Sequence, residues 1–436
     1  MYKTFRELLT TSPLGSPSSK HVLTLASGTV VAQLIPVLIS PLLTRLFTPE
    51  DFGLYMLYLS VVNFLIVVGT GRYELAVVLP REEEDAVNVA GLTLLITLCV
   101  SVAVFFVAAS FSEPIARLMG APAIGKWLIL VPLSLLLTGI FRVMNYWNTR
   151  RKKFRLLAGG RIAQSISAGG TNILTGILGL GAGGLILGSI TGLGAVDTTL
   201  SFPNLRRFSR LRGQLSIKKI KAMARRYADF PKINMFQALI DMLQSSGVVF
   251  VISSFFGGTI LGFYALTLRV LKAPLTFIGT SIGQVFYQKA SEIYNRGGNL
   301  KSYVKKTMIA LAVVGILPFL ILFIFSPYIF VLVFGKSWQE SGHYAQILAP
   351  WLYINFIYSP LSQLPLLVDR QKQNFVVGFF YNLLILIILI TSAVFFNSII
   401  LGFFLLSGVM SVYLLGALKW LIKISGSSQT RRTIEH

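Results

Sequence analysis

The stretch RLFTPEDFGLYMLYLSVVN (Arg45–Asn63) returns in altered form as SFFGGTILGFYALTLRVLK (Ser254–Lys272). At one fixed offset, Phe47/Phe256, Gly53/Gly262, Tyr55/Tyr264, Leu57/Leu266, Leu59/Leu268 and Val61/Val270 are identical. Each copy falls at the turn into the second apolar run of its half of the chain. With six spans on each side, the two halves enter a membrane in the same orientation. That predicts a parallel repeat about an axis along the membrane normal, with a cavity between two six-helix bundles.

The rest of the chain agrees with this reading. Its 436 residues are 54% hydrophobic and 13% charged, against about 25% charged in soluble domains. Apolar runs of about 20 residues, each able to cross a bilayer, recur throughout. We read an all-α membrane protein with twelve spans near 22–44, 52–79, 86–109, 124–147, 156–178, 182–203, 229–256, 259–287, 307–333, 343–367, 375–396 and 399–422. The expected organisation is an arm over 1–21, a first lobe over 22–203, a basic linker over 204–228, a second lobe over 229–424 and a tail over 425–436. The polar, Ser/Pro-rich start has no small-residue cleavage site before the first apolar run, so a cytoplasmic arm is expected and not a cleaved signal.

The net charge of +23 is located where it orients the chain. If the start lies inside, the inside segments carry 28 of the 39 Lys and Arg, the outside loops carry four (Arg45, Arg117, Lys126, Lys336) and the spans carry seven. This asymmetry places both termini in the cytoplasm and matches anionic lipid headgroups. Nucleic acid is excluded as a partner, because no loop is long enough for a folded binding domain. The single cysteine, Cys99, and the three scattered histidines, His21, His343 and His436, offer neither an intrachain disulfide nor a metal motif. No cofactor is expected. Catalytic groups of membrane-embedded glycan polymerases, ligases and glycosyltransferases need acids, bases or metal ligands at the membrane face. The short outside loops supply no such cluster, so no enzyme is expected.

The charges inside spans carry the functional expectation. Arg269 and Lys272 stand three residues apart, on one face of a helix. Under the repeat they align with Ser60 and Asn63, so the shared fold does not require them. Counting about 1.5 Å per residue from the turn at Gly257 and Gly258 puts Arg269 some 15 Å down, where a charge costs roughly 2.5–3.5 kcal/mol. Asp241 in the preceding span is at nearly the depth of Lys272, and an ion pair between them is one reading. The other has the cations facing a cavity, where guanidinium forks suit phosphate oxygens. Arg72 and Glu74 follow a glycine pair in GTGRYELAVVLP; they mark either a helix end in the headgroups or a broken helix lining the inner mouth of a cavity. Arg142 and Arg161 lie near inner helix ends, within snorkelling reach. Asp229 and Lys232 have the spacing of a local pair, and Asp197 is placed to meet the basic linker. The aromatics Phe255, Phe256, Phe263, Tyr264, Phe277, Phe286 and Tyr287 suit either sugar stacking or packing. No Walker A sequence is present, so an ion gradient is the expected driver, with H+ or Na+ coupled through Asp241 or Glu74.

Three blocks carry a family resemblance: LISPLLTRLFTPEDFGLYML, GRYELAVVLPREEEDAVNVA and FFGGTILGFYALTLRVLKAPLTFIGTSIGQVFYQKASE. The chain resembles the Wzx-type flippases of O-antigen and teichoic-acid export, within the multidrug/oligosaccharidyl-lipid/polysaccharide exporter superfamily. The resemblance implies two six-helix lobes in a V around a cationic cavity. It also implies movement of an undecaprenyl-diphosphate-linked oligosaccharide to the outer leaflet of the bacterial inner membrane. The ALTLRVLKAPL block matches the family pattern at Arg269 and implies a cavity position for it. Lys272, Arg72 and Arg142 complete the expected diphosphate-binding set. The implied partners are the lipid-linked glycan, membrane lipids and polysaccharide polymerase or ligase machinery. The alternative is an ion-coupled multidrug or cation exporter of the same superfamily, which would need buried acids where this chain places mainly cations.

Overall fold

The computed structural model describes the backbone of residues 17–205 and 212–434, and within them the side chains of all but 17–30, 212, 273–278, 280, 281 and 427–434. The expected arm over 1–16, part of the basic linker and the side chain of Phe277 lie outside the described residues. Among those residues the chain is helical throughout, and twelve long segments appear in the expected order. They are α1 (Pro17–Leu46), α2 (Pro49–Thr70), α3 (Glu83–Leu118), α4 (Val131–Arg150), α5 (Phe154–Ile177), α6 (Ala182–Ser201), α8 (Met235–Phe256), α9 (Gly258–Asn295), α10 (Leu300–Phe334), α11 (Gln339–Tyr358), α12 (Gln371–Thr391) and α13 (Ile399–Ile434). Between α6 and α8 lies a short linker helix, α7 (Ile217–Arg226). Among the described residues, seven segments are long and apolar enough on their own to cross a membrane. An eighth forms if α4 is joined to Pro122–Leu128 across a 57° bend. Several helices outrun the apolar runs that announced them. Thus α1 starts at Pro17, in the segment expected to be an arm, with proline at a first-turn position that needs no N–H.

The ends follow from local chemistry. Thr48 caps α2: its hydroxyl accepts from the Asp51 N–H, and the Asp51 carboxylate accepts from the Thr48 N–H. Pro49 occupies the first turn. This capping box is what the TPED of the repeat encodes. Outward faces are apolar along the long helices. On α10, Ile316, Leu317, Leu320 and Phe323 are all exposed, as side chains that meet lipid tails should be.

The chain forms two compact units, one running to Ala265 and the other beginning at Leu266, within α9. In the first unit, a core at the basic ends of the helices joins Val77, Val87, Val143, Trp147, Leu157 and Leu200. Met223 of α7 inserts into the same core. The linker helix is held by charge as well. Lys219 pairs with Glu84 and Arg226 with Asp85 at 3.6 Å, while Arg151, at the end of α4, pairs with Glu83 at 3.5 Å. The acidic run after Pro80 therefore neutralises part of the basic excess around it. In the second unit, Phe286, Leu300, Val304, Phe356, Leu361 and Leu421 form the core. Phe286 is 1% exposed and stacks on Tyr303 with ring centroids 5.6 Å apart. It is a packing residue, and burial closes it to sugar stacking.

One contact in the first unit reflects the repeat directly. Gly53 sits against the backbone of Gly258, and Gly262 sits against the backbone of Pro49. Under the fixed offset, Pro49 aligns with Gly258 and Gly53 with Gly262. The contact is thus self-complementary, each copy laying its glycine on the first residue of the other, as a two-fold relation requires. Only glycine lets two helix backbones approach so closely.

Candidate functional site

The second helix does not run on through its basic end. It stops at Thr70, and Gly71 (φ 56°) and Arg72 (φ 62°) both take the left-handed conformation. That region suits glycine and is uncommon for arginine. A short 3₁₀ helix then covers Tyr73–Val78. The Thr70 hydroxyl accepts from the Arg72 N–H at 3.3 Å. The Tyr73 hydroxyl donates to the Ala224 carbonyl on α7 at 3.0 Å. The break is therefore fixed from both sides, and it decides where the next charges point.

Glu74 points inward, with its side chain 1% exposed. Its Oε1 accepts from Arg142 Nη1 at 3.2 Å and lies 3.7 Å from Arg72 Nη1. The first distance is a hydrogen bond; the second is an ion-pair contact beyond hydrogen-bond length. Oε2 of Glu74 and Nε of Arg72 are buried and make no hydrogen bond among the described residues. Two guanidiniums around one carboxylate leave the cluster with a net charge of +1. Tyr146, one turn beyond Arg142, lies within electrostatic reach of all three groups, and Asp241 lies within reach of Arg72.

One reading of the sequence is decided here. Arg72 and Glu74 follow the end of α2, which stops at Thr70 after 22 residues, and stand at the start of the 3₁₀ turn beyond it. Arg142 turns to Glu74 and does not extend along the helix toward its end, because a buried carboxylate stands beside it. No periodicity links residues 68 apart in the chain, so this pairing is not legible without the fold. Tyr146, at i+4 from Arg142, went unremarked in the sequence and would have been found only once Arg142 was known to face inward.

The remaining candidates are distributed. Asp241, exposed on α8, enters no ion pair among the described residues. It belongs to the first unit, whereas Arg269 and Lys272 belong to the second. Arg269 is half-buried and Lys272 exposed on α9, which is unbroken from Gly258 to Asn295. Asp229 and Lys232 form no ion pair among the described residues. The reason is the π-helical turn over Phe230–Asn234, whose wider pitch takes i and i+3 off a common face. Asp197 is buried, and neither of its carboxylate oxygens makes a hydrogen bond among the described residues. No group of three His, Cys, Asp or Glu able to hold a metal occurs among those residues.

These features define a multi-pass helical membrane protein with a cationic cluster built just beyond the end of its second span. Residues 42–343 match the polysaccharide biosynthesis protein family, and the chain belongs to that family. It is 25% identical over 319 residues to the succinoglycan biosynthesis transport protein ExoT of Rhizobium meliloti (strain 1021). That match covers 71% of this chain and 61% of the relative, so the chain spans about three fifths of the length of the curated relative it matches. Among solved structures, the lipid II flippase MurJ in an inward closed conformation superposes with a TM-score of 0.71 at 15% identity, covering 93% of this chain and 90% of that one. A multidrug-resistance MATE transporter of the MOP superfamily, inward-facing, superposes with a TM-score of 0.66 at 14% identity, covering 97% and 98%. The chain shares the fold of these transporters, as the six-plus-six reading of its repeat anticipated.

Proposed function

We propose that the chain is a flippase. It carries an undecaprenyl-diphosphate-linked oligosaccharide, such as an O-antigen, capsule or exopolysaccharide repeat unit, from the inner to the outer leaflet of the bacterial inner membrane by alternating access. Both termini face the cytoplasm. The observation that carries the reading is the Arg72–Glu74–Arg142 cluster, a partly buried net positive charge at the basic end of a span of a polysaccharide-biosynthesis family member. A net positive site there suits an anionic headgroup. The cations of α9, Arg269 and Lys272, form a second candidate set for contacts to the diphosphate. A drug or cation exporter is supported by fold likeness alone, and the positive cluster opposes it. Polymerase or ligase enzymes acting on the exported glycan are the natural partners, and H+ or Na+ supplies the driving gradient.

The test uses purified protein in liposomes containing a fluorescent undecaprenyl-diphosphate oligosaccharide. The intact chain should exchange the lipid between leaflets under an imposed proton or sodium gradient. Arg269→Gln should insert normally and lose the exchange. Absence of exchange in the intact chain, with drug efflux in its place, would reverse the two readings.

A further inference from the structure

We propose that Glu74 is an internal counter-ion that holds the place of a phosphate, and that the anionic headgroup of the cargo displaces it from Arg72 and Arg142. The inference deepens the flippase reading and rests on it.

The geometry carries the argument. A carboxylate that pairs with arginine for stability commonly does so through two parallel N–H bonds. Glu74 does not. One oxygen, Oε1, serves both guanidiniums, at 3.2 Å and 3.7 Å. Its other oxygen is buried without a hydrogen bond, an arrangement that costs the desolvation of that atom. On the cationic side each guanidinium has five N–H donors, and the Nε of Arg72 is buried and makes no hydrogen bond. The carboxylate lacks donors while the arginines have donors to spare. A phosphate or diphosphate, with more oxygens and more charge, satisfies the arginines better than Glu74 does.

Charge leads to the same assignment. Without Glu74 the two arginines would place +2 beside the buried 3₁₀ turn that follows α2, where an uncompensated buried charge is expensive. Glu74 lowers this to +1 between transport events. Because its own pairing is incomplete, a better anion can take its place. The backbone keeps the arginine side of the site in position. Arg142 stands on the continuous helix α4 and Arg72 on the left-handed turn after Gly71, whereas Glu74 stands on a six-residue 3₁₀ turn. The carboxylate is thus the member of the cluster that exchanges. The charged and titratable groups that face it are Arg72, Arg142 and, one turn on, Tyr146; Asp241 bears on Arg72 from α8.

The test measures inorganic pyrophosphate binding to the full chain in lipid nanodiscs by calorimetry, without divalent ions and at fixed salt. Glu74→Gln keeps the shape of the side chain and removes the competing charge. It should bind pyrophosphate at least tenfold more tightly than the intact chain, about 1.4 kcal/mol. The double variant Arg72→Gln/Arg142→Gln should lose the binding. Equal or weaker binding by Glu74→Gln, with an unchanged elution profile, would make Glu74 a structural partner and overturn the proposal. If Glu74→Gln fails to fold, Glu74→Asp gives the answer: a shorter carboxylate reaches the arginines less well and should tighten pyrophosphate binding, and unchanged binding again overturns it. Leaflet exchange separates this idea from the flippase reading. Tighter pyrophosphate binding without any lipid exchange by the intact chain defeats only the flippase reading. Exchange with unchanged pyrophosphate affinity defeats only the counter-ion.

Discussion

The crossed glycine contact makes a sharp prediction about energy. A methyl group on Gly262 would stand 2.5 Å from the carbonyl carbon of Pro49 and 3.1 Å from its Cα. A methyl on Gly53 would stand 2.8 Å from the carbonyl carbon of Gly258 and 3.0 Å from the nitrogen of Gly262. Carbon–carbon contacts settle at about 3.5–4.0 Å, and the carbonyl oxygens of Pro49 and Gly258 lie nearer still, so the two backbones must part by well over about 1 Å to admit either methyl. Overpacking of this kind costs about 1–3 kcal/mol. Since every atom met is backbone and none can rotate away, we expect Gly262→Ala and Gly53→Ala each to cost about 2–3 kcal/mol. The two are not independent, because a single separation makes room for both methyls. The double variant should therefore fall short of the sum of the single costs by at least about 0.5 kcal/mol, the scale of coupling between residues in contact. Reversible unfolding in mixed micelles at increasing denaturing-detergent fraction measures all three. Gly408→Ala, whose Cβ would meet nothing within 4 Å, serves as the control and should stay within about 0.5 kcal/mol of the parent. Single costs below about 0.5 kcal/mol, or strict additivity in the double variant, would refute a self-complementary backbone contact.

Two further outcomes are expected. Phe286→Ala should destabilise the second unit by about 3–5 kcal/mol in the same assay, since the ring is 1% exposed and stacks on Tyr303; a smaller loss with impaired transport would return Phe286 to a cargo-facing role. A reporter fused after residue 215, just before α7, should read as cytoplasmic, and an external reading would invert the whole orientation drawn from the Lys and Arg distribution.

The spans were legible because a bilayer demands long apolar runs, and such runs survive in a single sequence. Their ends were less so. The apolar reading of the third span stopped at 109, yet α3 continues to Leu118, past a kink at Phe111 and through Pro114. Polar and proline-containing turns lengthen a helix without adding hydropathy. The repeat was legible because both copies need glycine at the same place, Gly53 and Gly262, for the same backbone approach. The cluster was only half legible. Arg72 and Glu74 are neighbours in sequence after a glycine pair, so the break and its charges could be read together. Arg142 could not be attached to them, because burial alone decides that it turns to Glu74. The Asp229–Lys232 reading failed because i,i+3 proximity presumes an α-helical pitch, and a π turn occupies that segment.

The departures from the repeat are where the charges sit. Carried across the fixed offset, Gly71 and Arg72 correspond to Thr280 and Ser281, and Glu74 corresponds to Gly283. At those positions α9 continues without a break to Asn295, whereas α2 ends at Thr70. In the other direction, Arg269 and Lys272 correspond to Ser60 and Asn63. Each half thus keeps the glycine turn and then acquires its cations by a separate route. The first half breaks its helix, borrows Arg142 from α4 and shields the pair with an internal carboxylate. The second half places two cations on one continuous helix. A purely structural repeat has no reason to diverge in this way, since intramembrane charges cost stability wherever they are put. The shared turn is thus kept by backbone packing at Gly53 and Gly262, while neither set of charges is required by it.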